Sequence, residues 1–203
     1  KASQGLANYV CKKFPKGLRK IAVSYDSRIK SELFAKTASS VFAANGIQVY
    51  LYSQLVPTPC LSFAGRYLGC QAGVMVTASH NPSKYNGYKV YGPDGCQITT
   101  EAAQEVLSEI EALDVFQDIK KSDFHREVSE GTISYISEEV FTAFTEEVKK
   151  QTLILPDTKM DRDVSICYTP LNGTGLKPVL RVLRESGFTN ITVVKEQEKP
   201  DGT

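Results

Sequence analysis

Short apolar stretches alternate with amphipathic segments over the first 113 residues, and this alternation constrains the fold more than any other feature. Apolar and β-branched composition predicts strands at residues 20–25, 47–52, 73–77 and 88–91. Apolar residues at helical spacing predict helices at residues 6–14, 31–45, 57–69 and 101–113. Strands that alternate with helices imply right-handed crossovers and a mostly parallel sheet with helices on both faces.

One connection differs from the others. The link from Ser79 to Tyr88 is too short for a helical crossover, so we expect the strand at residues 88–91 to run antiparallel to its predecessor. The fold class predicted for this part of the chain is therefore a three-layer α/β/α domain with a mixed sheet. Ser31 and Thr99 or Thr100 are the expected N-caps of their helices.

A polar, irregular stretch at residues 114–132 predicts a domain boundary. We expect a first domain at residues 1–132 and an incomplete second α/β domain at residues 133–203. The second unit has a predicted helix at 137–151, followed after Pro156 by strands at 164–168 and 191–194 that flank another helix. So few elements bury little surface, which predicts a piece of a longer chain that needs its missing C-terminal domains for function.

Charge and hydropathy exclude two broad classes. Lys and Arg number 24 against 23 Asp and Glu, a net charge of +1, so we expect no nucleic-acid partner. The apolar runs fall far short of the roughly 20 residues that a membrane helix needs, and we expect a cytoplasmic protein. The five cysteines are an odd number without metal-ligand spacing, which predicts reduced packing residues.

The chemistry is concentrated in the segment Thr77-Ala-Ser-His-Asn-Pro82, which follows a buried strand, and in Tyr85-Asn-Gly-Tyr-Lys89. The carboxyl end of such a strand is where open α/β sheets bind ligands. Ser79 can accept and donate a phosphoryl group, and His80 or Lys89 can bind the phosphate or move a proton. The Asn86-Gly87 turn brings Lys89 back toward Ser79.

These two segments resemble the phosphoserine loop of the α-D-phosphohexomutase family, which includes phosphoglucomutases and phosphomannomutases. Three further segments agree in order, namely 25–28 with Ser31, 56–59 and 169–175. The resemblance implies interconversion of hexose 1-phosphate and hexose 6-phosphate (glucose, mannose or both) through a phosphoserine and a sugar 1,6-bisphosphate.

The resemblance also implies roles for individual residues. Ser79 would carry the phosphoryl group and, through its phosphate, bind Mg²⁺. His80 and Lys89 would be catalytic, and Arg28 and Asn81 would bind the sugar phosphate. The family's Asp-Gly-Asp-x-Asp-Arg metal segment and its sugar-selecting loop are not in this sequence, so we expect the 203 residues alone to be inactive.

Several alternatives stay open. A phosphopentomutase of the same family differs mainly in the sugar-selecting loop. A non-enzymatic phosphosugar-binding phosphoprotein module would use Ser79 as a switch. A serine hydrolase is disfavoured because no G-x-S-x-G elbow is present. Arg28 with Asp26 is equally compatible with a surface ion pair, and the 172–175 segment with an anion site or a turn in which Thr174 caps a helix.

Overall fold

The computed structural model describes residues 1–153 and 160–203, so the predicted break at Pro156 lies outside the described residues. The elements of the larger unit, in chain order, are α1 (Ala2–Lys13), β1 (Lys20–Tyr25), α2 (Ser31–Ala44), β2 (Gln48–Leu51), α3 (Thr58–Tyr67), β3 (Ala72–Val76), β4 (Tyr88–Tyr91), α4 (Thr100–Glu111), α5 (Phe124–Ser129), β5 (Ile133–Tyr135) and α6 (Glu138–Lys150). The smaller unit contains β6 (Ile166–Tyr168), α7 (Leu176–Glu185) and β7 (Ile191–Val193). None of the helices in these ranges is both long and apolar enough to cross a membrane.

The larger unit is built on a five-stranded sheet with the order β4-β3-β1-β2-β5. The pairs β1–β2, β1–β3 and β2–β5 are parallel, and β4 runs antiparallel to β3 with Met75 opposite Lys89. The mixed sheet and the antiparallel return predicted from the short 79–88 link are therefore confirmed.

Helices cover both faces of this sheet. On one face, Leu6 and Val10 of α1 and Phe42 of α2 pack with Val23 and Val74 of the central strands. The other face is covered by α3 and α6, as shown by two buried clusters whose members include Leu61 with Met75 and Cys60 with Val140. Because apolar residues alternate between the faces of the central strands, both helical layers are needed to bury them, and the predicted three-layer α/β/α fold is confirmed.

The first unit extends beyond the predicted boundary at residue 132. Ile133 is only 1% exposed, and β5 completes the five-stranded sheet beside β2. The polar stretch before it is a surface connection that contains α5, whose N-cap Asp123 accepts a bond from the Arg126 N–H. Polarity here reflects exposure of a connection and not a gap between two cores, so the sheets divide after Lys150.

The smaller unit adds a second sheet, in which β6 and β7 pair in parallel across α7. It is joined to the larger unit by ion pairs between α6 and α7. Arg181 lies 2.7 Å from Glu138 and the Lys149 ammonium 2.8 Å from Glu185. These partly exposed pairs give α7 a fixed side against α6 at modest energetic gain.

Two of the expected helix caps differ from the structure. Thr99 caps α4 as predicted, since its hydroxyl accepts from the Ala102 N–H. Ser31 is instead the first residue of α2, after Lys30 with a left-handed φ of 64°, and Gly175 rather than Thr174 precedes α7. The Ser31 hydroxyl is engaged elsewhere, because it donates to Asp26 Oδ1 at 2.8 Å.

The cysteines differ in reactivity according to their burial. Burial raises the pKa of Cys60 and of Cys70 to about 12, whereas Cys96 and Cys167 are exposed. Only the thiolate is nucleophilic, so at pH 8 the two buried thiols stay protonated and inert.

We expect a thiol reagent to label Cys96 and Cys167 in the native protein, as read by peptide mass spectrometry, and Cys60 and Cys70 only after denaturation. Rapid native labelling of Cys60 would contradict this packing.

Candidate active site

Ser79 lies just beyond the carboxyl end of β3, on an exposed loop that follows the buried residues Thr77 and Ala78. Its φ of 55° is in the left-handed region, which non-glycine residues rarely occupy and which marks a locally strained backbone. The Ser79 N–H donates to Thr77 Oγ1 at 2.9 Å. The sequence therefore delivers a hydroxyl to the sheet edge on a backbone that other contacts must stabilise.

Lys89 reaches Ser79 because β4 returns antiparallel to β3. The Lys89 ammonium donates to Ser79 Oγ at 2.5 Å. The return depends on Gly87, whose N–H is bound by the Asn86 side chain at 2.8 Å and whose carbonyl accepts from the Thr77 N–H at 3.0 Å. A Cβ at residue 87 would overlap the Thr77 carbonyl oxygen, so only glycine permits this approach.

Arg28, at the end of β1, binds the loop that carries Ser79. One terminal nitrogen of the guanidinium donates to the carbonyls of Pro82 and Tyr85, at 3.0 and 2.8 Å. The other terminal nitrogen donates to the carbonyls of Ser79 and Asn81, at 2.8 and 2.5 Å. The sequence predicts substrate binding by Arg28, but the structure directs its terminal donors at the protein backbone.

Asp26 and Asn86 extend this set of contacts. Asp26 Oδ2 lies 3.4 Å from the Nε of Arg28, and Oδ1 accepts from the Arg28 N–H and the Ser31 hydroxyl. The Asn86 amide donates to the Ser31 hydroxyl at 2.9 Å. Each polar side chain of the 26–31 segment named here thus has a partner that connects it to the loop between β3 and β4.

A cavity of about 540 Å³ opens beside Ser79 at the carboxyl edge of the sheet. Its walls come from the ends of β1 and β3 and from the smaller unit, and they include Arg28, Thr77, Ser79, Asn81, Thr174 and Thr203. The charged side chains on its walls are Arg28, Asp26 and Asp201, and most of the other lining groups are hydroxyl or small. A cavity at a sheet's carboxyl edge has the size and position of a small-molecule site.

The two remaining residues that the sequence predicts for the site, His80 and Asn81, are not held by side-chain hydrogen bonds to the described part of the chain. His80 and Asn81 are exposed, and their side chains make no hydrogen bond within residues 1–153 and 160–203. Asn81 lines the cavity, but His80 does not. The sequence-based predictions missed the bond from the Ser79 N–H to the Thr77 side chain, and they assigned Asn86 to the turn without its side-chain bonds. The signal was available, since Thr precedes the serine by two residues and Asn precedes glycine, both patterns of local side-chain-to-backbone bonding.

Lys89 is the cation placed to bind a phosphate on Ser79, whereas the described residues offer no set of ligands for a metal ion. Lys89 contacts Ser79 Oγ, and Asp26 is committed to Arg28 and Ser31. Mg²⁺ needs several oxygen ligands, and the described part of the chain brings no three His, Cys, Asp or Glu side chains together as a metal site. These residues alone do not fit Mg²⁺, and a phosphate on Ser79 remains the single ligand predicted from them.

The fold and site define a three-layer α/β domain with a serine and a lysine joined at the carboxyl edge of its sheet. The family model described as "Phosphoglucomutase/phosphomannomutase, alpha/beta/alpha domain I" matches residues 1–116. The chain therefore belongs to the phosphoglucomutase/phosphomannomutase family, as the resemblance of its motifs predicted.

Individual relatives agree with this assignment. A phosphoglucomutase from Staphylococcus saprophyticus is 36% identical over 202 residues, which cover 100% of this chain and 36% of that protein. A phosphoribomutase from Saccharomyces cerevisiae is 32% identical over 212 residues, covering 98% of this chain and 34% of that protein. The chain thus spans little more than a third of the length of these relatives.

The crystal structure of a Thermus thermophilus protein described as a phosphomannomutase superposes on this chain with a TM-score of 0.77 at 24% identity. The superposition covers 99% of this chain and 41% of that chain. At this identity the likeness shows the fold alone.

Replacement of Gly87 tests the close approach of the two strands. We expect Gly87→Ala, in the complete protein, to lower the free energy of unfolding by about 1–3 kcal/mol, because the added methyl forces the strands apart. The measurement is the urea-unfolding midpoint. The matched control is Gly65→Ala in α3, where a Cβ has no neighbour within 4 Å and helix propensity improves. An unchanged midpoint for Gly87→Ala would show that a methyl group fits between residue 87 and the Thr77 carbonyl, and would contradict the close approach.

Proposed function

We propose that the complete protein is an intramolecular phosphotransferase that interconverts hexose 1-phosphate and hexose 6-phosphate through a phosphoserine at Ser79. Glucose and mannose phosphates are the proposed substrates, and a sugar 1,6-bisphosphate is the intermediate and activator. Mg²⁺ is the proposed metal cofactor, bound through the Ser79 phosphate together with ligands from the rest of the complete protein. We place this reaction in cytoplasmic carbohydrate metabolism. The observation that carries the proposal is the contact between the Lys89 ammonium and the exposed Ser79 hydroxyl beside the cavity.

The two side chains suit reversible phosphoryl transfer. As the phosphoryl group leaves, the Oγ–P bond breaks, a bond from phosphorus to a sugar oxygen forms, and negative charge develops on Oγ. The Lys89 ammonium, already placed at that oxygen, stabilises this charge and donates a proton to it. In the return step the serine hydroxyl attacks the phosphorus of the other phosphate, the bond from that phosphorus to its sugar oxygen breaks, and Lys89 takes the proton of the serine back. The freed sugar oxygen takes up the proton that the first sugar hydroxyl lost when it was phosphorylated. Such catalysis depends mainly on positioning and charge, which Lys89 and the fixed loop supply.

His80 and Asn81 have subsidiary roles in this proposal. Both lie next to Ser79 on the exposed loop, with side chains free of hydrogen bonds to the described residues. His80 is proposed to bind the phosphate or to move the proton of the attacking sugar hydroxyl. Asn81 is proposed to bind the sugar phosphate, because it lines the cavity with Ser79.

Pentose phosphates are the second candidate substrates. The observation that favours them is the Saccharomyces cerevisiae phosphoribomutase, which is 32% identical over a region that covers 98% of this chain. Its identity is close to that of the Staphylococcus saprophyticus phosphoglucomutase, at 36%, so the matched region does not separate the two sugars. Ribose 1-phosphate therefore belongs in any substrate test.

Replacement of Ser79 tests the phosphoryl carrier. We expect Ser79→Ala in the complete protein to reduce mutase turnover by about a thousandfold or more, because no other group replaces a covalent nucleophile. The assay supplies Mg²⁺, a sugar bisphosphate, and glucose, mannose or ribose 1-phosphate in turn. Mass spectrometry of the peptide that contains Ser79 should show a phosphate in the wild-type protein and none in the variant.

The matched control is Ser53→Ala, which removes an exposed hydroxyl that makes no side-chain hydrogen bond within the described ranges. It should keep wild-type turnover. Full activity of Ser79→Ala would show that the serine is not the carrier. A phosphorylated Ser79 without turnover of any sugar phosphate would favour the phosphoprotein switch.

A further inference from the structure

We propose that Arg28 is a positioning residue that fixes the backbone of Ser79 for phosphoryl transfer, and that it does not itself bind substrate. The inference deepens the function proposed above and rests on it. The two terminal nitrogens of the guanidinium carry four N–H bonds and contact four backbone carbonyls of one loop.

The partners of Arg28 lie within a single short segment. The carbonyl oxygens of Ser79, Asn81, Pro82 and Tyr85 converge on the guanidinium at 2.5–3.0 Å. The third nitrogen, Nε, faces the Asp26 carboxylate at 3.4 Å, and the Arg28 side chain is only 10% exposed. Donors directed at the loop in this way are occupied, so a substrate phosphate would have to displace loop carbonyls to reach them.

These contacts fix both peptide units that flank the Ser79 Cα. The preceding unit is held because its N–H donates to Thr77 Oγ1 at 2.9 Å. The following unit is held because the Ser79 carbonyl accepts from Arg28 at 2.8 Å. With both units anchored, the backbone stays in its unusual conformation at φ 55°, and only rotation about χ1 remains to move Oγ.

The position of Oγ matters because Lys89 must meet the same atom. Lys89 lies on a different strand from the loop, so a shift of the loop relative to β4 would break the 2.5 Å contact between the Lys89 ammonium and Ser79 Oγ. Misplacement by about 1 Å can lower a rate about a hundredfold without loss of a reacting group. Arginine is required by this account, because a planar fork with five donors serves several carbonyls, whereas a lysine offers three donors from one point.

The test uses the complete protein with Arg28→Lys and Arg28→Ala. For both variants we expect kcat to fall about tenfold to a hundredfold, with KM for the sugar phosphate changed less than about twofold. We also expect amide hydrogen exchange to accelerate in peptides that cover residues 79–86, with unchanged protection in β1 and β3. The matched control is Arg184→Lys on α7, an exposed arginine with no hydrogen bond or ion pair to the described residues.

Each outcome decides the proposal. A raised KM with unchanged kcat and unchanged loop exchange would show that Arg28 binds substrate and would overturn it, as would Arg28→Ala with wild-type kcat. If Arg28→Ala does not fold, Arg28→Lys carries the same comparison. Absence of turnover in both the wild-type and the Arg184→Lys proteins would refute the proposed mutase function, and hydrogen exchange of the loop would still decide whether Arg28 holds it.

Discussion

The reversal of β4 against β3 is the constraint on which the site depends. In an otherwise parallel sheet, this one antiparallel pair brings a residue from the next strand back to the edge where β3 ends. Lys89 meets Ser79 for that reason, although ten residues separate them in sequence. The reversal in turn requires Gly87, because a side chain there would occupy the position of the Thr77 carbonyl.

Parallel pairing of β1 with β3 explains why two distant motifs act together. Parallel strands end at the same edge of a sheet, so the 26–31 segment after β1 lies beside the 77–87 segment after β3. The first segment supplies side chains, from Asp26, Arg28 and Ser31, and the second supplies mostly backbone acceptors. The strained backbone at Ser79 is therefore stabilised from two sides, by Arg28 of the neighbouring strand end and by Thr77 within its own segment.

The sequence predicted the elements whose pattern is periodic. The strands β1 and β4 were predicted to the residue, and the antiparallel return followed from the length of one link. The strand β5 was missed as part of the first sheet because three residues after a polar stretch carry little periodic signal, and their pairing with β2 is a tertiary contact. The turn predicts the contact of Lys89 with Ser79. The partners of Arg28 could not be predicted, because every residue has a backbone carbonyl and the sequence does not indicate which of them bind a side chain.

The smaller unit approaches the site through backbone. Asn172 holds the terminal turn, since its carbonyl accepts from the Asp201 N–H at 2.9 Å and its amide donates to the Lys199 carbonyl at 2.8 Å. This turn presents Gly202, where a Cβ would lie 2.6 Å from the Ser27 carbonyl oxygen and from the Ile29 nitrogen. The backbones of Gly202 and of residues 27–29 are in direct contact, with no side chain between them that could rearrange if one unit moved. A displacement of the smaller unit would therefore act directly on the segment that carries Arg28, which links the geometry of the Ser79 loop to the packing of the two units.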